Sequence, residues 1–386
     1  MKIMVVNTLY FPFSVGGAEV SVKILCEKLV SLGHQVRVIT LHNCRYRETA
    51  FINGVEVVYL PIKNIYWPFD SKRKTKVKRL VWHLVDSYNF LAKRQFDAEL
   101  ALYQPDVVHT NNLAGFSVSV WSAVKRRGIG IVHTTRDYYL FHPNTTLYHN
   151  GANQAASHIS VLAWAALKKL HSKKVDSFVG VSRFIMDFHS DAGFFPKAHK
   201  THIYNPISVP LLSSGLGGDR RVGFIGSLSE AKGFDSFCFV VGAIRERLPE
   251  ITAVAAGDFS GGEGDELRGL AKRFNVELLG KIKLSDFLQR VDIVVLPIKW
   301  REPFGRVVLE CALAGKIVLA RPVGGVKELM EITPTVLDLD SSSIIDLLME
   351  ERIVCRDIPV RVREYFSPET IAEEYILEYE KVKSGN

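Results

Sequence analysis

Short, β-branched apolar runs alternate with amphipathic stretches along the whole chain. That alternation limits the fold more than any other feature of the 386 residues. In the first half the runs are Ile3–Val6, Val36–Leu41, Val55–Leu60, Val107–His109, Ile131–Thr134 and Phe178–Val181. In the second half they are Val222–Ile225, Ala253–Ala256, Val276–Leu279, Ile293–Pro297, Ile317–Ala320 and Val336–Leu339. Helical periodicity fills several gaps, as over 18–32, 116–127 and 304–314, each followed within two positions by a glycine stop signal. Strand–helix alternation of this kind predicts parallel sheets with helices on both faces. Two such series, at roughly 150 residues per domain, predict an α/β chain of two Rossmann-like, doubly wound domains. Residues 1–205 are expected to form the first domain and 206–366 the second. The linker is expected near Tyr204-Asn205-Pro206, ahead of the loose stretch 213–218. Open sheets bind ligands at the carboxyl ends of their strands, so the site is expected in a cleft between the two domains.

Composition excludes several classes. With 47% hydrophobic and 23% charged residues the chain is neither disordered nor collagen-like. No apolar run approaches the roughly 18 residues that span a bilayer. The N-terminus lacks the apolar length and small-residue cleavage site of a signal peptide. Five scattered cysteines with no C-x-x-C pair predict reduced, buried thiols. A cytoplasmic protein, free or peripheral on the inner face of the cytoplasmic membrane, is expected.

The net charge of +8 is unevenly spread. Residues 1–200 carry 26 Lys+Arg against 13 Asp+Glu, and 201–386 carry 23 against 28. Between Lys63 and Arg94 nine basic residues face two acidic ones, with six aromatics among them. Val77, Leu80, Val81, Leu84, Val85, Tyr88 and Leu91 recur there at helical spacing. Two readings stay open. The stripe packs on its own domain and leaves a solvated basic face, or the surface, with Lys72, Arg73, Lys74 and Arg79, rests on anionic lipid or an acceptor. No nucleic-acid-binding signature accompanies the charge, so no nucleic-acid partner is expected.

Four constellations could carry chemistry. Gly16 and Gly17, between the first strand and helix, let backbone amides approach an anion, although two glycines are usually just a turn. Gly226 to Gly233 follows a strand and holds Lys232, which could neutralise a phosphate. Trp300 to Glu310 holds two carboxylates eight residues apart, about 12 Å if helical throughout, a spacing suited to gripping one extended ligand. Pro303 suits a first helical turn, and the amides near Phe304, Gly305 and Arg306 would face an anion. Glu310 lies in an apolar run and must find a partner or bear the cost of burial. Finally, Arg136 and Asp137 follow a strand, where a surface ion pair and a site pair are equally good readings.

Glu302-x7-Glu310 with Pro303-Phe304-Gly305, the Gly16-Gly17-Ala18-Glu19 loop and Glu230-x-Lys232-Gly233 together resemble glycosyltransferase family 4. Ser182-Arg183 and Ile203-Tyr204-Asn205-Pro206 fit the same pattern, which covers essentially the whole chain. The resemblance implies the GT-B architecture and a metal-independent, retaining transfer of a sugar from a nucleotide-sugar, with no cofactor. It implies an acceptor-binding first domain, a donor-binding second domain, and a helix within 367–386 that crosses back to the first. By position, Glu302 would meet the donor sugar and Glu310 the ribose. Lys232, Gly16, Gly17 and the amides about Phe304, Gly305 and Arg306 would hold the diphosphate. Arg136 and Asp137 would sit near the reacting sugar. Two departures matter: many relatives carry an arginine where Ser227 stands, and a histidine where Arg136 stands. An arginine cannot act as a general base.

The basic, aromatic first domain points to a saccharide acceptor, possibly lipid-linked, in surface polysaccharide or lipopolysaccharide assembly. A nucleotide-sugar epimerase of the same architecture and a non-catalytic nucleotide-sugar or lipid-binding protein are the rival readings. Asp338-Leu339-Asp340 matches a metal-binding D-x-D, but its place near the chain end favours a surface loop, and no metal is expected.

Overall fold

The computed structural model describes residues 1–14, 16–70, 74–209, 221–260, 262–340, 344–349 and 358–383. Lys72, Arg73, the 213–218 stretch and Cys355 lie outside these residues. In chain order the strands are β1 (Lys2–Val6), β2 (Gln35–His42), β3 (Glu48–Ile52), β4 (Val55–Pro61), β5 (Val107–Thr110), β6 (Gly130–Thr135), β7 (Tyr148–His149), β8 (Ala152–Asn153), β9 (Ser177–Gly180) and β10 (His199–His202), then β11 (Arg221–Ile225), β12 (Thr252–Ala256), β13 (Glu277–Gly280), β14 (Ile293–Leu296), β15 (Ile317–Ala320) and β16 (Val336–Asp338).

The chain divides into two compact units. The first comprises residues 1–147, 154–206 and 366–386; the second comprises 148–153 and 207–365. The first holds an eight-stranded sheet in the order β10-β9-β6-β5-β1-β2-β4-β3. Its pairs are parallel except β3–β4, an antiparallel hairpin closed by Asn53-Gly54. Both turn residues take positive φ, 49° and 83°, the combination that favours Asn-Gly in a two-residue hairpin. The central strands are apolar without alternation and fully covered; Ile3, Met4, Val5 and Val6 of β1 are all buried.

The helix Pro368–Lys383 belongs to the first unit and closes over β5 and β6. Its Tyr379 hydroxyl meets His109 Nδ1 at 2.7 Å, and the His109 Nε2 meets the Thr134 hydroxyl at 2.7 Å. The Ser177 hydroxyl donates to Glu378 at 2.6 Å. Burial, then Arg136 and His133, depress the His109 pKa well below the ordinary imidazole range, so this histidine is a neutral part of the core.

The second unit holds a six-stranded, all-parallel sheet in the order β13-β12-β11-β14-β15-β16. Renumbered within the unit this is 3-2-1-4-5-6, the dinucleotide-fold order. Its direction of winding reverses between β11 and β14, so the loops leaving those two strands diverge and open a crevice at their carboxyl ends.

Two sequence expectations are corrected. The stripe from Val77 to Leu91 is not one packed helix. The helix Lys76–Ser87 ends at Tyr88, and Asn89 caps a second one, Phe90–Tyr103, by accepting from the Ala92 amide at 3.0 Å. The first of these helices packs through Trp82 and Asp86, and Val77, Leu80, Val81 and Leu84 remain exposed. Cys26, Cys238 and Cys311 are buried, but Cys44 is exposed.

Candidate active site

The two loops at the switch point of the second unit carry most of the predicted donor residues. Lys232 leaves β11 on a turn whose Gly233 has φ +80° and lies so close to the Pro297 carbonyl that a Cβ would sit at 1.9 Å. The β14 loop runs back over this turn: the amides of Lys299 and Trp300 donate to the Ala231 carbonyl at 3.0 and 3.1 Å. This stapling brings Lys232 Nζ to Glu302, 2.5 Å away, with the ammonium also 4.9 Å from the Trp300 ring centroid. Trp300 Nε1 donates to the same Glu302 oxygen at 3.0 Å. Glu302 is thus oriented by a neutral donor and balanced by a cation. From behind, the Gly325 amide donates to the Glu302 carbonyl at 2.8 Å, and a Cβ on Gly324 would strike that carbonyl at 2.2 Å.

The helix after Glu302 spans Arg306–Leu313. Glu302, Pro303 and Phe304 therefore precede it, and the 12 Å helical spacing expected between the carboxylates does not apply. Gly305 is the N-cap at φ +94° and has no side chain with which to cap this end. Glu310 has the partner its burial requires: Arg306, one turn earlier, at 2.8 Å. Burial raises the Glu310 pKa and lowers that of Arg306, and each opposes the shift of the other. Arg306 therefore balances Glu310. The Ser227 hydroxyl is bonded to Ser260. The additional cation beside the Lys232 turn is Lys299, 2.5 Å from Asp235 and 3.9 Å from Glu230.

Neither Lys299 nor Asn153 stands out in the sequence, and Trp300 there only opens the Glu302 block without a role of its own. Asn153 ends a hairpin, β7–β8, that groups with the second unit although its neighbours in sequence belong to the first. Its amide grips the β14 loop on both sides, donating to the Lys299 carbonyl at 2.9 Å and accepting from the Arg301 amide at 3.0 Å. The signal was present: Asn150-Gly151, at φ 48° and 76°, is the same turn type that closes β3–β4.

In the first unit, Gly16 is the N-cap of the helix Gly17–Ser31, and its amide donates to Glu19 at 2.9 Å. Arg136 leaves β6 held between two asparagines, donating through Nε to Asn111 at 3.0 Å and through its guanidinium to Asn205. Asp137 does not pair with it in a surface bridge. Its carboxylate accepts from Asn112 at 2.9 Å and from the Tyr139 amide at 2.8 Å. Burial raises its pKa to about 6, against the Tyr139 amide and Lys168. Lys74 pairs with Asp70 at 2.8 Å, and Arg79 lies exposed on the helix Lys76–Ser87. The predicted residues thus form two groups. Lys232, Glu302, Phe304, Gly305, Arg306 and Glu310 lie in the second unit; Gly16, Gly17, Lys74, Arg79, Arg136 and Asp137 lie in the first.

Asp338 accepts from the Asp340 amide at 3.0 Å and caps the turn after β16. The one group of potential metal ligands among the described residues is His42, Cys44 and Glu48, with ligand atoms within 4.8 Å of one another. His42 Nε2 there contacts the Tyr46 carbonyl.

Residues 15–209 match the sequence family "Glycosyltransferase Family 4", and residues 219–345 match "Glycosyl transferases group 1". The chain is 42% identical to an uncharacterized 42.6 kDa protein in the cps region of Klebsiella pneumoniae, over 98% of this chain and all of the relative. It is 23% identical to the phosphatidylinositol N-acetylglucosaminyltransferase gpi3 subunit of Schizosaccharomyces pombe, over 99% of this chain and 81% of that one. Among solved structures, the Anabaena protein HepE in complex with UDP and glucose superposes with a TM-score of 0.68 at 18% identity, covering 98% of this chain and 99% of that one.

Proposed function

The chain belongs to glycosyltransferase family 4, and from that premise we propose that it moves a hexose from a UDP- or GDP-linked donor to a saccharide acceptor, retaining the anomeric configuration and needing no metal. The Lys232–Glu302–Trp300 cluster at the switch point of the second unit carries this proposal. Breaking a glycosyl phosphate places negative charge on the departing diphosphate and positive character on the sugar carbon. A preorganised cation and carboxylate aimed at those charges lower the barrier. Lys232 would exchange Glu302 for the diphosphate. Trp300 would keep the Glu302 carboxylate in place toward the sugar. The helix N-terminus at Gly305 would add a partial positive charge for a phosphate oxygen. Glu310, steadied by Arg306, would hold the ribose hydroxyls. The UDP in the HepE structure supports the nucleotide class.

The acceptor is proposed to be a lipid-linked saccharide at an anionic membrane surface, in surface polysaccharide assembly. Exposed Val77, Leu80, Val81 and Leu84 beside Lys76, Lys78 and Arg79 supply an apolar and a cationic component. The relative in a cps region and the relative named for phosphatidylinositol support this placement. No helix of the described residues is long and apolar enough to cross a membrane.

The test is consumption of UDP-glucose, UDP-N-acetylglucosamine and GDP-mannose with a membrane extract as acceptor source, with and without EDTA. One donor is expected to be consumed equally in both, and Glu302→Gln is expected to lower kcat by about 100-fold. Isomerisation of a donor without acceptor, or binding with no turnover, would overturn the proposal.

A further inference from the structure

The first unit contains a cavity of about 330 Å³ beneath the helix Lys76–Ser87, to which no role has been assigned above. One wall is aromatic. Tyr66 and Trp82 lie 6.1 Å apart, and Trp82 is fixed by its indole donating to the Tyr66 carbonyl at 3.0 Å. Its floor is a buried ionic cluster. Lys168 is 3% exposed; its ammonium donates to the Tyr139 carbonyl at 2.6 Å and lies 3.9 Å from the Tyr139 ring centroid. The Tyr139 hydroxyl donates to Asp86 at 2.9 Å. Asp86 is 2% exposed and also accepts from the Gly115 amide at 2.6 Å, so both of its oxygens are engaged. At the rim, Arg79 has no ion pair among the described residues, whereas Lys74 is paired with Asp70.

We propose that this cavity receives a sugar unit of the acceptor that bears a negatively charged group, its ring against Trp82 and Tyr66 and its acid between Lys168 and Arg79. This deepens the transferase reading and rests on it. Sugar rings present C–H faces that pack on aromatic surfaces, and a charge-assisted hydrogen bond from a buried ammonium is among the stronger single contacts a site can offer. Burial lowers the Lys168 pKa to about 8, opposed by Asp86 and Asp137, so an incoming anion would also relieve a desolvated cation. Burial, then Lys168 and Arg79, push His83 down to about 4, so it is neutral at pH 7 and, with Lys74 paired to Asp70, the acid is left to Lys168 and Arg79.

A carboxylate on the sugar ring and a phosphate at its anomeric carbon share this chemistry. The experiment is saturation-transfer NMR and titration with methyl glucuronide, glucose 1-phosphate and methyl glucoside, on wild type, Lys168→Met and Arg79→Glu. At least one acidic sugar is expected to bind about tenfold more tightly than the neutral one, with that preference lost in both variants. Glucuronide preference alone would assign the charge to the ring, and phosphate preference alone to the link. Equal binding of all three sugars, no binding of any, or a preference that survives Lys168→Met would overturn the proposal. UDP titrated into the same wild-type sample separates the two levels. If UDP fails to bind, the donor-site reading fails, whatever the sugars do. If UDP binds and the acidic preference is absent, only the acceptor inference fails.

Discussion

Glu310 shows how a single residue in the sequence can announce a partner without naming it. A carboxylate amid Val307, Val308, Leu309, Cys311 and Ala312 had to be paired, and the helix that begins at Arg306 places that residue one turn before it as the partner. Because both side chains are largely buried, Glu310→Ala is expected to cost about 2 kcal/mol or more in urea unfolding by stranding the guanidinium. The double change Arg306→Met with Glu310→Met should regain most of that stability and still bind nucleotide poorly. Regained binding would assign the pair to stability alone.

Asp86 gives a pH signature at the same scale. Its carboxyl titrates near 6 in the folded chain, raised from 3.8 by burial against Lys168 and the Tyr139 and Gly115 hydrogen bonds. A raised carboxyl is more protonated folded than unfolded between those values, so its share of stability falls as pH rises from about 4 to 6. Lys168, lowered to about 8 from 10.5, restores stability only as pH climbs through that higher window. The stability deficit of Asp86→Asn is therefore expected to shrink by on the order of 2 kcal/mol between pH 4 and pH 7. A deficit independent of pH would show that the carboxyl is not held in that state. None of this was legible in sequence, where Asp86 is one acid in a basic stretch and Lys168 one of two lysines after an apolar run.

At the scale of the element, strands are legible in the sequence and turns much less so. Every β-branched run singled out is a strand, because a fully covered parallel sheet demands continuous apolar sequence. Neither Asn-Gly hairpin shows in that pattern, since β3 is largely exposed and β7 and β8 are only two residues long, so β4 alone of the four strands reads as an apolar run. The second hairpin matters to the site. Asn153→Ala removes two hydrogen bonds from the loop that presents Glu302 and is expected to raise the KM for the donor about tenfold with little change in melting temperature. An unchanged KM would leave the hairpin without a part in positioning. The helix Lys76–Ser87 carries the other element-scale expectation. Wild type should sediment with anionic vesicles more than with neutral ones, less so at high salt, and Leu80→Glu with Leu84→Glu should abolish this. Equal sedimentation with both vesicle types would contradict the membrane proposal.

For the molecule as a whole, the doubly wound α/β class was legible from alternation alone, but the strand order was not. Only the structure shows the winding reversal between β11 and β14 that makes the Lys232 and Glu302 loops neighbours. Likewise, the helix Pro368–Lys383 buries Tyr375 and Tyr379 in the first unit through contacts with residues more than 200 positions away, which no local pattern announces. Under the proposed function the second unit takes the donor and the first the acceptor, and one measurement tests that division directly. Calorimetric titration of UDP and GDP into wild type, Lys232→Met and Lys168→Met should show one nucleotide binding about tenfold more weakly to Lys232→Met and with wild-type affinity to Lys168→Met. Equal affinity for Lys232→Met and wild type, or a loss confined to Lys168→Met, would contradict it.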